Sequence, residues 1–130
     1  VEGYMADGRK VWFGPVSETA MREKAAGDQT ILENAVYAHV LDVLSKPENV
    51  AEIEKEFPKI SVPRRNTGYA IDMLARMRPF NPNGGDLNFC SLIAGSEGTL
   101  LFITSAKIRI TPIAPPHKKL VCIHCNSIDE

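Results

Sequence analysis

The segment AGSEGTL, Ala94–Leu100, holds the residues whose types and spacing most directly suggest binding chemistry. Gly95 and Gly98 lie three positions apart with Ser96 and Glu97 between them, which allows successive backbone N–H groups to point into one concavity that suits an anion such as phosphate. The segment lacks the Gly-Lys-Ser/Thr of a Walker loop and the G-x-G-x-x-G of a dinucleotide fold. The alternative is that one glycine ends a helix and the other only makes a turn, and spacing alone favours this alternative.

Two arginines and a threonine upstream offer a second kind of chemistry. Arg64 and Arg65 each present a planar, permanently charged guanidinium that suits a substrate carboxylate, and the Thr67 hydroxyl can add a hydrogen bond. The alternative is that both arginines are solvated and that Thr67 caps a helix, which the residues by themselves favour. Tyr69 either faces a bound cofactor or packs in the core with its hydroxyl at the surface.

A group of possible metal ligands at residues 122–125 is weaker evidence for a site than the two segments above. Cys122, His124 and Cys125 resemble part of a metal site, but zinc takes about four ligands and the sequence offers no second pair. His39 is predicted to lie mid-helix at the surface. Since no carboxylate pair and no Ser-His-Asp set is placed together by the sequence, we assign no catalytic residue and no metal ligand.

Composition limits the class of protein. The chain has 130 residues, 44% hydrophobic and 24% charged, which suits one globular domain with its own core. A formal net charge of −1 gives no broad basic surface for nucleic acid or anionic lipid. No apolar run approaches the ~20 residues of a transmembrane helix. Three cysteines, an odd number, favour reduced thiols and a cytoplasmic setting, and a start at Val1 in a strand-like segment favours a piece of a longer chain.

The pattern predicts an α+β fold in which helices cover an antiparallel sheet. Val1–Met5 and Lys10–Phe13 form a hairpin around Asp7-Gly8, because a tight turn needs the positive φ that glycine supplies. A strand is predicted within Thr99–Ile113, whose second half alternates apolar and basic residues. A further strand is predicted to begin in KKLVCIHC, after Pro115-Pro116.

The middle of the chain is predicted to form three helices. Ser17 caps the first, which ends near Gly27, and Asp28 caps the second. Apolar residues recur along the second helix at helical spacing and predict one buried face: Ile31, Ala35, Val40, Val43 and Leu44. Ser45 and Glu48 form the capping box of the third helix, which runs to about Phe57.

Two shorter helices are predicted further on. After a strand-like segment at 60–63, Asn66 or Thr67 begins a helix with an apolar side of Ile71, Leu74 and Ala75. The loop PFNPNGGD, residues 79–86, breaks it because of its prolines and glycines. Asp86 then caps a helix over Leu87–Ala94, which ends at a left-handed Gly95.

Three segments carry a resemblance to a known family, and they occur in its order. LIAGSEGTLLFITSAKIRITPIAPP, Leu92–Pro116, closely resembles the signature of FAD-linked oxidases of the p-cresol methylhydroxylase and vanillyl-alcohol oxidase type. RRNTGYAID, Arg64–Asp72, is similar to the segment that precedes this signature in the branch of D-lactate dehydrogenases, the glycolate oxidase flavin subunit and 2-hydroxyglutarate dehydrogenases. ADGRKVWFG, Ala6–Gly14, resembles the hairpin of the family's second subdomain. Together the segments cover about a third of the chain.

The resemblance implies a site for part of FAD. Residues 1–116 would be the second FAD-binding subdomain, with a helical elaboration at about 17–57 that the resemblance does not cover, and 117–130 would begin a following cap domain. A missing first subdomain would hold the pyrophosphate. Leu101 replaces the family's usual glycine, which puts a side chain where backbone approach is otherwise free. The residues implied to bind the cofactor are Gly95, Ser96, Glu97, Gly98, Thr99, Phe102 and Ile103, and those implied to bind substrate are Arg64, Arg65 and Thr67.

The activity implied is oxidation of a 2-hydroxy acid to a 2-oxo acid by hydride transfer to FAD, with the chain alone inactive because it lacks half of the site. The partners implied are FAD, a small 2-hydroxy acid and the missing subdomains of the same protein. Oxidases of this family often hold a metal in the cap domain, beyond Glu130, and none is assigned here. The alternative function is a non-enzymatic α+β module that binds a protein partner or a regulatory nucleotide.

Overall fold

A small antiparallel sheet and a set of short helices make up the computed structural model, which describes residues 1–62, 68–113, 119–124 and 127. The described strands are hydrogen-bonded in the order β2-β1-β3. This architecture confirms the α+β prediction, whereas its identity as a flavin subdomain stays a prediction. The elements in chain order are β1 (Glu2–Tyr4), β2 (Lys10–Trp12), α1 (Glu18–Ala26), α2 (Leu32–Leu44), α3 (Pro47–Glu56), α4 (Ile71–Ala75), α5 (Cys90–Ile93) and β3 (Phe102–Ser105).

The opening hairpin forms as predicted. β1 and β2 pair antiparallel, and the turn between them closes through the Gly8 amide, which donates to the Met5 carbonyl at 2.9 Å. The Met5 amide donates in turn to the Arg9 carbonyl at 3.0 Å. Gly8 has a φ of +78°, which is the conformation that the Asp7-Gly8 pair was predicted to supply.

The third strand pairs with the first, so β1 lies at the centre of the sheet. Tyr4 lies opposite Phe102, and Gly3 lies opposite Ile103. Val11 of β2 faces the core, whereas Trp12 and Phe102 are 60% and 74% exposed. The Trp12 ring lies against Gly14. The sheet therefore has one face packed on the core and one outer face that carries aromatic side chains.

The predicted long strand is much shorter in the structure. β3 ends at Ser105, and Ile108 and Ile110 are 77% and 86% exposed without belonging to a strand. Because β3 runs antiparallel to β1 and Ser105 already lies opposite Glu2, residues beyond 105 have no described backbone to pair with. Alternation alone does not supply a neighbouring strand. Residues 119–124 also form no strand, and their assignment to a following domain stays a prediction.

The first helix begins as predicted and the second does not. Ser17 caps α1, its Oγ accepting from the Ala20 amide at 3.3 Å, and Gly27 ends the helix. Asp28 is not a cap, because its Oδ1 accepts from the amide and the hydroxyl of Thr30 at 2.9 and 2.8 Å. The backbone hydrogen bond from Thr30 holds the pKa of the Asp28 carboxyl below its ordinary value. The Asp28 side chain therefore stabilises a local turn before α2 and does not cap the helix.

The predicted capping box at Ser45 is wrong. Ser45 ends α2, with its amide donating to the Leu41 carbonyl at 3.1 Å and its backbone in the helical region, whereas an N-cap needs extended backbone. α3 begins instead with Pro47 at its first position, where the missing N–H costs nothing. It ends at Phe57 as predicted. The strand predicted at 60–63 is absent from its described part, since residues 60 and 61 form a turn.

Both short helices are shorter than predicted. Gly68 has a φ of +82° and Ala70 is not helical, so α4 begins at Ile71 rather than at Asn66 or Thr67, which lie outside the described residues. The loop at 79–86 forms as predicted. Asp86 does not cap α5, because it accepts from Arg78 at 2.8 Å. Leu87 is also not helical, since it pairs with Val16 in an isolated β-bridge.

Phe89 connects the hairpin to the helices at the centre of the core. Its ring meets Phe13 edge-on at a centroid distance of 5.6 Å and Tyr37 of α2 at 4.9 Å. The buried apolar residues are Met5, Val11, Phe13, Met21, Tyr37, Val40, Leu44, Leu74, Ala75, Leu87, Phe89, Ile93 and Leu101.

Among the helices of the described residues, none combines the length and the apolar character that crossing a bilayer requires.

Replacement of Gly3 by alanine is expected to destabilise the sheet. A Cβ at this position would lie 2.9 Å from Leu101 Cγ and would also meet the Phe102 carbonyl oxygen, so β1 and β3 would have to separate. Overpacking of this kind costs about 1–3 kcal/mol. The free energy of unfolding in urea checks the prediction, with Gly85→Ala as the control because nothing lies within 4 Å of a Cβ there. Equal stability of the two variants would contradict it.

Stability is expected to fall at high pH through Tyr37. Burial, together with the nearby Glu33 carboxylate, raises the pKa of Tyr37 from 10.0 to about 12. Between these pH values the unfolded chain releases the phenol proton while the folded chain keeps it, so unfolding becomes easier as the pH rises. We expect a loss on the order of 2 kcal/mol over this window that Tyr37→Phe lacks. Urea unfolding of both proteins across the window tests this, and parallel pH profiles would contradict it.

Candidate functional site

The glycine-containing segment forms a tight turn over residues 96–99. Glu97 and Gly98 have φ values of +51° and +79°, and the Thr99 amide donates to the Ser96 carbonyl at 3.0 Å. Positive φ at both central residues is typical of a type I′ turn. The prediction that Gly95 is the left-handed residue is wrong, because α5 ends at Ile93 with Ala94 as its C-cap and the positive φ values of the segment occur at Glu97 and Gly98.

Ser96 holds the turn to the helix before it. Its side chain is buried, with 2% exposure, and its Oγ donates to the Ile93 carbonyl at 2.9 Å. The Ser96 amide also donates to the Ile93 carbonyl, at 3.1 Å. The hydroxyl of this predicted cofactor-binding residue is therefore occupied within the fold, and its role is to position the turn.

Two backbone amides of the segment remain available. The Gly95 amide donates to Leu92, and those of Ser96 and Thr99 donate as given above. In the described part of the chain, the amides of Glu97 and Gly98 have no acceptor. The sequence predicted that successive backbone N–H groups of this segment point into one concavity, whereas the turn leaves two adjacent ones for a ligand.

Tyr69 links this turn to the other segment that the sequence singled out. Its hydroxyl lies 2.6 Å from Thr99 Oγ1, and Thr99 Oγ1 donates to the Ser96 carbonyl at 2.6 Å. Because the single Thr99 hydroxyl proton is used in that second bond, Tyr69 is the donor in the first. The Tyr69 side chain is 47% exposed. The prediction that Tyr69 packs in the core is therefore wrong, because the side chain lies at the surface with its hydroxyl bonded to the turn, and the prediction that it faces a cofactor stays a prediction.

The backbone around Tyr69 fixes its direction. Gly68, just before it, is left-handed, and Gly95 lies close enough that a Cβ there would be 3.4 Å from the Gly68 carbonyl oxygen. Ala70, with φ −76° and ψ 57°, makes an inverse γ-turn in which the Ile71 amide donates to the Tyr69 carbonyl at 2.8 Å. The two segments, which lie 30 residues apart, therefore meet through main chain as well as side chains.

The strand after the turn presents apolar side chains to the outside. Phe102 and Ile103, both predicted to contact the cofactor, are 74% and 48% exposed. Leu101 is buried, with 4% exposure, and its Cγ lies beside Gly3. The side chain at position 101 therefore points into the core, so it does not block approach to the outer surface at Phe102.

The other residues that the sequence singled out fall in different places. Arg64, Arg65 and Thr67, predicted to bind substrate, lie outside the described residues, as does Cys125. His39, Cys122 and His124 are exposed. Among the described residues, no three His, Cys, Asp or Glu side chains come together in a way that could hold a metal ion.

An apolar groove beside the turn went unpredicted. It lies between α2 and the segment around Tyr69, and has a volume of about 540 Å³. The apolar spacing along α2 is visible in the sequence. Because the same spacing predicts a helix face buried in the core, it did not identify the groove. The residues that line it are Leu32, Ala35, Val36, His39, Val40, Tyr69, Ile71 and Leu92.

Comparison with known proteins gives no relative. No protein-family model, curated protein or solved structure matches the chain. The site is therefore interpreted from its own residues and from the resemblance of its segments.

A double-mutant cycle tests the link between Tyr69 and the turn. Tyr69→Phe and Thr99→Val each remove one partner of the hydrogen bond, so we expect a coupling free energy of about 0.5–1 kcal/mol, typical of a partly exposed bond. Urea unfolding of the four proteins measures it. A parallel cycle with Tyr4→Phe, a change on the outer face of the sheet, is expected to give additive effects. Additivity in the Tyr69 cycle would mean that the bond does not hold the turn.

Proposed function

We propose that this chain forms one half of a flavin-binding unit in an oxidoreductase that converts a 2-hydroxy acid to a 2-oxo acid. The observation that carries the proposal is the turn at 96–99, which offers two adjacent free amides and is joined to Tyr69. Two of the three segments that resemble the FAD-linked oxidase family thus meet at one surface, through Tyr69 and Thr99.

The residues present fit part of FAD. The amides of Glu97 and Gly98 suit an anionic or carbonyl oxygen of a nucleotide, since adjacent main-chain donors are a common anion site. Phe102 offers an exposed aromatic side chain on the outer face of the next strand, which suits a flat ring, whereas Ile103, the following residue of the strand, points to the opposite face. The resemblance assigns the pyrophosphate and the remaining contacts to polypeptide outside residues 1–130.

The chain's contribution to the reaction is binding and orientation. FAD, when bound, supplies the hydride acceptor. The turn fixes the direction of its two free amides, because Ser96 is anchored to Ile93 and Thr99 is anchored to Ser96. Leu101 keeps its side chain in the core and leaves the strand surface open. The resemblance assigns the substrate carboxylate to Arg64 or Arg65 together with Thr67.

A second candidate is a non-enzymatic module that binds a protein partner or a regulatory nucleotide. The observation that favours it is the outer face of the sheet, where Tyr4, Trp12 and Phe102 are 42%, 60% and 74% exposed. Exposed aromatic residues grouped on one face are typical of interaction surfaces. In the main proposal, the flavin subdomain outside residues 1–130 covers this face.

The flavin content of the protein encoded by the whole reading frame tests the main proposal. We expect a yellow protein whose visible flavin bands bleach under anaerobic conditions when a 2-hydroxy acid is added. Gly98→Val is expected to lower flavin content per folded protein about tenfold or more, because a β-branched residue resists a φ of +79° and the turn would rearrange.

Gly85→Val is the matched control, since Gly85 lies in the loop before α5 with nothing within 4 Å of a Cβ. The 130-residue chain alone is expected to bind FAD weakly in a calorimetric titration, because half of the site is absent. A colourless whole protein, or one whose flavin is unaffected by Gly98→Val, would remove the support for the oxidoreductase and favour the module.

A further inference from the structure

β3 forms one edge of the sheet and has a neighbouring strand on one side only among the described residues. The strand order β2-β1-β3 leaves β1 as that neighbour, so the N–H and C=O groups of β3 that point away from β1 have no strand to pair with. All residues of β3 are exposed. An edge of this kind can accept an added strand from another polypeptide through main-chain hydrogen bonds.

The segment that follows β3, residues 106–113, extends this edge. In the described part of the chain it makes no backbone–backbone hydrogen bond, and its isoleucines, Ile108, Ile110 and Ile113, are 77–97% exposed. Pro112 has no amide N–H and ends the stretch that can join a sheet. Residues 102–110 therefore form one continuous edge, here called the β3 edge.

The register of β3 with β1 fixes which face each of its residues shares. Ser105 lies opposite Glu2, whereas Ile103 lies opposite Gly3, with an irregularity of the register between the two pairs. Directly opposite residues of antiparallel strands share a face. Ser105 therefore lies on the outer face of the sheet with Glu2, and Ile103 lies on the core face with Gly3.

The same alternation separates charged from apolar residues along the rest of the β3 edge. Continued beyond residue 105, it places Lys107 and Arg109 on the outer face and Ile108 and Ile110 on the core face. The position of Lys107 agrees with this, since Lys107 and Trp12 line the same surface depression. A strand added to this edge would have a basic outer face and an apolar core face beside it.

The charge of the β3 edge is not balanced within the chain. The sequence from 101 to 113 contains Lys107 and Arg109 and no acidic residue, and neither has an ion-pair partner among the described residues. Glu2, opposite Ser105, is already paired with Lys10 at 2.9 Å. Opposite charges on facing strands stabilise a sheet, so the β3 edge favours a strand that carries carboxylates.

A second copy of the chain does not meet this requirement. Antiparallel pairing that sets Ile108 opposite the same residue of a second copy sets Lys107 opposite Arg109. Pairing that sets Ile108 opposite Ile110 sets Arg109 opposite itself. Like charges directly opposite each other are destabilising, and lysine or proline on an edge strand opposes self-association. The occupant that fits is a different polypeptide.

We propose that the β3 edge binds an extended segment of a partner protein in which acidic and apolar side chains alternate. The added strand places carboxylates beside Lys107 and Arg109 on the outer face and apolar side chains beside Ile108 and Ile110 on the core face. Main-chain hydrogen bonds contribute affinity, and the alternation sets register and specificity. The proposal is separate from flavin binding, because it uses the backbone edge of β3 and needs no cofactor.

Titration of the 130-residue chain with synthetic peptides, followed in ¹H–¹⁵N spectra, tests the proposal. The probes are a short peptide of alternating glutamate and valine, its lysine–valine counterpart, and a peptide of the first composition whose glutamates are contiguous. We expect the alternating glutamate–valine peptide to bind about tenfold or more tightly than the other two. Amide shifts are expected over 102–110, with alternate amides protected from hydrogen exchange.

Exchange of the charges separates recognition at the edge from general attraction. Lys107→Glu combined with Arg109→Glu is expected to reverse the preference, so that the lysine–valine peptide binds more tightly. Lys59→Glu combined with Lys119→Glu is the matched control, because both lysines are exposed outside the edge and the net charge changes equally. The control is expected to keep the original preference, and circular dichroism checks that both double variants fold.

Several outcomes would overturn the proposal. They are absence of binding by the alternating glutamate–valine peptide, shifts that fall outside the β3 edge, a preference that survives the exchange at 107 and 109, and an equal change of preference in the control. Sedimentation is expected to show a monomer in the absence of peptide. A dimer whose contacts map to the β3 edge would assign that edge to a second copy and would also refute the proposal.

Discussion

The relay of hydrogen bonds from Tyr69 through Thr99 to Ser96 is the constraint on which the rest of the site depends. Tyr69 donates to Thr99, Thr99 donates to the Ser96 carbonyl, and the Ser96 side chain is fixed to Ile93. With its amide also bonded to this carbonyl, Thr99 closes the turn that leaves two donors free. A hydroxyl that bonds as donor and acceptor at once leaves little freedom to either neighbour.

The helices support this relay from behind. Phe89 packs edge-on against both Phe13 and Tyr37, so the hairpin, α2 and the start of α5 share one core. α2 serves two surfaces, because Tyr37, Val40 and Leu44 are buried while other positions of the same helix line the groove. The helical stretch at 17–57, which the family resemblance does not cover, thereby supplies one wall of the apolar groove.

The sequence predicted the features that depend on local chemistry. Gly8 at the hairpin turn, Ser17 at the start of α1 and the end of α3 at Phe57 each follow from neighbours along the chain, and the structure confirms them. The errors occur where one side chain has several possible partners. Asp28 and Asp86 are of a residue type that favours helix caps, but the Asp28 carboxylate accepts from Thr30 and the Asp86 carboxylate accepts from Arg78. The contact of Tyr69 with Thr99 spans 30 residues, and no local pattern encodes it.

Trp12 gives the molecule an optical property of practical value. It is the single tryptophan of the chain and belongs to β2. Its side chain is 60% exposed on the outer face of the sheet. Indole emission moves to shorter wavelength when water leaves the ring, and a flavin nearby would quench it by energy transfer. The intrinsic fluorescence of the chain therefore distinguishes coverage of this face by another polypeptide from the arrival of a coloured cofactor, without any label.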